Sequence, residues 1–229
     1  MIDAKVTRRE TLVRFGGLLG ALLGAGGWKL SDSASAGPAA VASGAVSCVL
    51  TPEQTEGPYY IPNERVRREI TEGKRGRPLL LRLTVVDAST CKPIKGAAVD
   101  IWHADALGVY SGFGRGSGNR TFLRGIQRTG ANGLARFRSI YPGWYPGRTV
   151  HIHVKVHVGG NVVHTGQLYF PDSVTDRVFR GTPYKRRGRR TTRNAGDSVF
   201  VNGGRRSMLS LRKSGSAYVG RITMGVAVS

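Results

Sequence analysis

From residue 48 onward, short apolar or alternating runs at 79–86, 97–102, 134–140, 150–158, 161–170 and 218–228 are separated by clusters of Gly, Pro, Asn and Asp. Runs of this length bounded by turn residues predict strands, and no stretch sustains a helical period. Asn132-Gly133 and Gly159-Gly160 fall between consecutive runs and predict hairpin turns. The expected fold is all-β, a β-sandwich of mostly antiparallel strands with long functional loops. Residues 172–213 are too polar and arginine-rich to read as strands, so a loop crossing over one side of the sandwich is expected there.

The clearest alternation is Arg148-Thr149-Val150-His151-Ile152-His153-Val154-Lys155-Val156. A strand has a period of two, so Val150, Ile152, Val154 and Val156 face the core. His151 and His153 then share the other face one pleat repeat apart, where two imidazoles can converge on one ion. His157 lies on that face too but roughly 13 Å farther along, and it reads, with His164, as a surface or edge residue. Two histidines at this spacing also suit a zinc or ferrous site, which would normally add a carboxylate or a third histidine. The loop just before this strand holds no Asp or Glu. It holds tyrosines: the stiff segment 141–147 delivers Tyr145, and Tyr110 follows the run that ends in Trp102 and His103. Phenolate is a hard anionic donor that a strongly Lewis-acidic cation such as Fe(III) can deprotonate and hold. Any single tyrosine is more often a packing anchor with a hydrogen-bonded hydroxyl.

Charge and targeting narrow the setting. Thr7-Arg8-Arg9-Glu10-Thr11-Leu12 precedes an apolar stretch at 15–27, shorter than the ~20 residues that span a bilayer. Residues 1–36 are read as a twin-arginine signal peptide, 37–47 as a flexible segment and 48–229 as one domain, exported to the periplasm, envelope or medium; a retained anchor is the alternative. Cys48 and Cys91 are the only cysteines. An even count in an exported chain suggests a disulfide tying the N-terminal arm to the first hairpin, against two separate buried thiols. The net charge is +21, concentrated at 65–77, 185–193 and 205–213. These clusters lack the interleaved aromatics of a nucleic-acid platform, so no nucleic-acid partner is expected; adhesion to anionic envelope or humic polymers fits better. Association into a homo-oligomer stays open.

Four segments in order, LTPEQTEGPYY (50–60), DIWHADALGVYSG (100–112), YPGWYPGRTVHIHVKV (141–156) and GQLYFPD (166–172), resemble the intradiol ring-cleavage dioxygenases, the non-haem ferric family of catechol, hydroxyquinol and protocatechuate dioxygenases. The resemblance implies Fe(III) as cofactor, a catechol-type aromatic and O2 as reactants, and cis,cis-muconate-type products. It places the metal ligands at Tyr110, Tyr145, His151 and His153, with Tyr145 as the one that leaves iron when substrate binds. The family's active-site arginine falls on Arg148 and its glutamine near the oxygen pocket on Gln167; Tyr59 and Tyr60 are expected to line the substrate entrance. His103 lies in a family motif but is not a ligand there, and Val150 stands where many relatives carry proline. The alternative function is an exported basic β-sandwich module that binds anionic polymers without catalysis.

Overall fold

Among the described residues, eight strands form two four-stranded sheets. The computed structural model describes residues 48–114 and 117–228; the signal peptide read at 1–36 and the flexible segment at 37–47 lie outside the described residues. Strands β1 (Pro78–Asp87), β4 (Leu134–Ile140), β7 (Ser210–Ser214) and β8 (Ala217–Val226) build one sheet in the order β4-β1-β8-β7. Strands β2 (Ala98–Trp102), β3 (Arg124–Arg128), β5 (His151–Val158) and β6 (Asn161–Tyr169) build the other in the order β3-β2-β5-β6. Neighbours are antiparallel apart from β1 and β8, which run parallel. Alternate residues of both sheets interdigitate: Leu79, Leu81, Leu83 and Val85 face Val99, Ile101, Ile152, Val154 and Val156 in one buried cluster. Each such side chain contributes about 1.5–3 kcal/mol by leaving water.

Two strands were not among the predicted runs. Arg124–Arg128 reads RGIQR and Ser210–Ser214 reads SLRKS, too polar to show an apolar face. β7 is an exposed edge strand, where polar and charged residues discourage further pairing. The turn readings divide. Gly159 and Gly160, at φ +59° and +88°, close the β5–β6 hairpin in a conformation that favours glycine. Asn132-Gly133 is not a hairpin turn, because β3 and β4 belong to different sheets. It carries the chain across the sandwich, and Gly133 is required there: a Cβ would meet the Val85 carbonyl oxygen at 2.4 Å.

Residues 172–213 are also more regular than a loop crossing. They contain helix α1 (Asp172–Phe179), short 3-10 turns at Tyr184–Arg187, Asn194–Gly196 and Gly204–Ser207, helix α2 (Ser198–Val201) and most of β7. The segment is pinned to the end of β6, with Leu209 N donating to Tyr169 O and Asn194 Nδ2 to Phe170 O.

Cys48 and Cys91 are joined by a disulfide. It ties the start of the arm to the tight turn after β1, where residues 92–94 fold back antiparallel on the strand's end: Val86 pairs with Pro93, Asp87 N donates to Lys92 O and Ile94 N to Val85 O. Beyond Cys48 the arm crosses the outer face of the β3-β2-β5-β6 sheet. Gln54 N donates to Thr165 O, Lys155 pairs with Glu56, and Arg67 N donates to Ile126 O. That cover buries both faces of β5 through Val156. His164 lies on the edge strand β6, as read, but not at the surface: it is 1% exposed, with Nδ1 at 2.7 Å from Glu53 Oε1.

Candidate metal centre

The register of the outer sheet sets one row of side chains abreast. Arg124 pairs with Trp102, Trp102 with His153, and His153 with Gln167, across all four strands. His151 lies one pleat repeat along, opposite Tyr169. The row presents an indole, an imidazole and an amide to one covered space.

The tyrosines arrive on two loops that brace each other. Asp105 Oδ1 accepts from Leu107 N and Val109 N, folding the turn that leads to Tyr110. Gly143 N, on the Tyr145 loop, donates to Asp105 O at 3.0 Å. Gly108, at φ +80°, lies so close that a Cβ would sit 2.2 Å from Trp144 O. Arg187 Nε donates to the same Trp144 oxygen at 2.7 Å and its guanidinium lies over the Trp144 ring. Arg124 locks the far side of the Tyr110 loop, donating to Ser111 Oγ, Ser111 O and Tyr59 O at 2.8, 2.8 and 2.6 Å.

These supports bring the four sequence-predicted ligands together. Tyr145 Oη lies 3.1 Å from His151 Nε2, which lies 3.1 Å from His153 Nε2. The Tyr110 ring is 5.7 Å from that of Tyr145 and 6.2 Å from that of His153. Its hydroxyl is buried with no hydrogen-bond partner among the described residues. His151 Nδ1 lies 2.7 Å from Thr149 O, which places its proton there and leaves Nε2 as a lone pair. Two donors bound to one ion at about 2.1 Å and at a right angle stand about 3.0 Å apart, so the imidazole spacing fits a shared cation. Among the described residues no group of three His, Cys, Asp or Glu side chains gathers to hold a metal; the partners of this histidine pair are phenols.

His153 is held differently from His151. Its Nδ1 has no hydrogen-bond partner among the described residues. The ring stacks on Trp102 at 4.9 Å and 4°, and a Cβ on Gly57 would lie 3.1 Å from its Cε1. The imidazole therefore sits in a slot between an indole and the bare backbone of the arm.

Burial controls the charge states. It lowers His151 to about 3, helped by the Arg148 cation, and lowers His153 well below its usual value, helped by His151 and then Arg148. Both rings are neutral donors at neutral pH. Burial raises Tyr110 well above the usual phenol range, with Tyr145 next to it adding to the rise; Tyr145 is raised by burial and partly held down by Arg148. Two phenolates in so dry a site need a compensating multivalent cation.

Arg148 and Gln167 flank the ligands as a fixed unit. Arg148 Nε donates to Asp197 Oδ2 at 2.9 Å and Nη2 to Gln167 Oε1 at 2.5 Å. Gln167 Nε2 donates to Thr55 O, and Tyr169 Oη donates to Gln167 Oε1, so the amide orientation is determined. Tyr59 stacks on Tyr110 at 4.3 Å and meets Tyr145 edge-on at 6.2 Å. Tyr60 lies one layer back, packed on Trp102 and under Lys155 Nζ. His103 is a core residue between Ser139 Oγ and Ala104 O, and burial lowers it to about 4.

Sequence reasoning missed Arg124, Trp102 and Asp197 as supports. Trp102 was open to detection, because its strand alternation puts it on the face opposite Val99 and Ile101. Arg124 and Asp197 gave no local signal for these roles, since Arg124 reaches Tyr59 across 65 residues and Asp197 reaches Arg148 across 49.

Residues 55–190 match the protein family described as Dioxygenase. The fold superposes on an intradiol ring-cleavage dioxygenase from Tetranychus urticae with a TM-score of 0.76 and 38% identity, covering 79% of this chain and 95% of that one. Among curated relatives, catechol 1,2-dioxygenase 1 of Acinetobacter lwoffii is 36% identical over 101 residues, 42% of this chain and 32% of that protein. A chlorocatechol 1,2-dioxygenase of Cupriavidus pinatubonensis is 31% identical over 153 residues, 55% of this chain and 58% of that protein. The chain thus spans less than two thirds of the length of these curated relatives.

Proposed function

This chain belongs to the intradiol ring-cleavage dioxygenases, and from that premise we propose that it holds one ferric ion through Tyr110, Tyr145, His151 and His153 and opens catechol-type rings with O2 to cis,cis-muconate-type diacids. The observation that carries the reading is the convergence of two neutral imidazoles and two buried phenols on one space. Two anionic and two neutral donors suit a trivalent cation and leave room for a chelating substrate. When bound, the ferric ion supplies a Lewis-acidic centre that favours the catecholate form and makes its ring electron-rich toward O2.

The chain's own residues do the rest. One catechol proton passes to Tyr145 Oη, whose neutral phenol form is the one burial favours. Tyr110 stays in place because Tyr59 stacks on it and Arg124 pins its loop. His151 carries no proton at Nε2, the atom facing the ligand cluster, and neither ring swings, one being tied to Thr149 O and the other slotted against Trp102. Arg148, oriented by Asp197 and Gln167, is a fixed cation beside the reacting ring and stabilises the negative charge that develops there. Tyr59, standing over both ligand tyrosines, restricts water access and meets the face of an entering ring.

Export by the twin-arginine route is part of the proposal, supported by residues 7–27. It would let the protein fold and acquire its ion before crossing the membrane.

Oxygen-uptake assays on iron-loaded protein with catechol, hydroxyquinol and protocatechuate, with product identification, test the activity. The expected result is one O2 consumed per ring with both atoms in the diacid; absence of uptake with every catechol overturns it. The non-catalytic polymer-binding reading predicts that absence.

A further inference from the structure

Away from the ligand cluster, α1 and the turns that follow it line a half-open cavity of about 580 Å³. Five cationic side chains line it, Arg180, Lys185, Arg189, Arg190 and Arg193, against a single carboxylate, Asp176. That carboxylate is already committed. Its Oδ1 accepts from Arg190 Nη2 at 2.8 Å and its Oδ2 from Arg193 Nη2 at 2.6 Å. Arg190, 5% exposed at its side chain, also donates to Asp172 Oδ1 at 2.5 Å. Arg190 is thus a built part of the wall. Arg180, Lys185 and Arg189 are exposed and make no ion pair among the described residues.

The remaining lining is Phe179 and Gly188. Phe179 lines the cavity and stacks on the buried Tyr184 at 5.3 Å and 13°, so its ring is held rigidly. A surface of this kind recognises flat anions: guanidinium groups pair with carboxylates and also stack on aromatic planes. The volume exceeds what one inorganic anion fills and falls within the range of small organic ligand sites.

We propose that this cavity is a binding site for aromatic polycarboxylates, with Arg180, Lys185 and Arg189 as its anion-pairing residues and Phe179 as its stacking face. The site would let the protein hold an oxidised, carboxylate-bearing aromatic polymer at a point separate from the metal centre. The wall runs on to that centre through one short segment. Asn194, next to Arg193, bonds Thr149 Oγ1 at 2.7 Å, and Asp197 holds Arg148. Residues 193–197 therefore link the cavity wall to the support of Arg148.

Titration calorimetry of the full-length protein with benzenehexacarboxylate tests this without using the proposed reaction. The Arg180→Ser/Lys185→Ser/Arg189→Ser variant is compared with Arg205→Ser/Arg206→Ser/Arg212→Ser, which removes the same charge from exposed positions outside the cavity. Saturable binding, weakened about tenfold or more by the first variant and less than about twofold by the second, is expected. Thermal unfolding and catechol turnover of the first variant should match the parent. Equal losses in the two variants would show a diffuse basic surface and overturn the site. Tighter binding of polygalacturonate through the same residues would overturn the aromatic assignment, and binding of inorganic phosphate with equal affinity would reduce the site to a generic anion contact.

Discussion

His151 and His153 ride on a strand that is hydrogen-bonded on both sides, whereas Tyr110 and Tyr145 ride on loops that lean on each other. On the strand side, position follows from the pleat, and the neighbours along the row come from register. On the loop side, position follows from a few long-range contacts: Gly143 to Asp105, Gly108 against Trp144, and Arg124 to Ser111 and Tyr59. A chelating pair can thus be inherited from secondary structure alone, while the other half of the same site depends on tertiary interlocking. The two halves should therefore fail differently.

The largest effect is expected where the loop side is most concentrated. Arg124 is 1% exposed, faces Glu64 at 3.8 Å, and ties three atoms of two segments. Arg124→Met leaves a carboxylate buried without its cation, at a cost of about 3–5 kcal/mol. Urea unfolding measures this; a loss below about 1 kcal/mol would show that the loops hold without it.

A pair of glycines sharpens the comparison within one region. Gly108 and Gly147 both have positive φ, +80° and +83°, but a Cβ meets the Trp144 oxygen at 2.2 Å in the first case and nothing within 4 Å in the second. Gly147→Ala should cost only the conformational penalty, about 1–2 kcal/mol. Gly108→Ala should cost clearly more and reduce iron retention as well, because it wedges the tyrosine loops apart. Equal costs would contradict the interlocking of the loops.

On the strand side, Trp102→Leu removes the plane against which His153 rests. The expected outcome is about tenfold weaker iron retention in chelator competition, with Trp102→Phe recovering most of it. Unchanged retention in Trp102→Leu would mean that the Gly57 backbone alone suffices.

The smallest effect concerns the arm. Burial lowers the pKa of His164 below its ordinary value of 6.5, and Glu53 only partly opposes this. The neutral ring is the folded form, so its contribution to stability is present above pH 6.5 and is lost as pH falls toward the lowered folded value. His164→Gln should flatten the stability profile between pH 7 and 5, as read by thermal unfolding; an unchanged slope would assign that pH dependence to other groups.

Much of the strand side was legible in the sequence because alternation is a local property. The six apolar runs and the pairing of His151 with His153 needed only a period of two. Legibility failed where burial came from a distant segment. β3 reads as polar because its Arg124 is buried by partners at Tyr59 and Ser111, and His164 reads as a surface residue because nothing near it in sequence announces that Glu53 will cover it. Tyr110 and Tyr145 were chemically suitable, but only the resemblance of their motifs singled them out, and the interlocked glycines explain why those motifs carry glycine where they do.

The central claim is that both halves close on one ferric ion. The most direct measurement is the visible and resonance Raman spectrum of the iron-loaded protein, alone and with Tyr110→Phe or Tyr145→Phe. The expected result is a reddish protein with a tyrosinate-to-iron charge-transfer band that each substitution weakens or shifts. An iron-replete protein with no such band, or a band indifferent to both substitutions, would contradict the account.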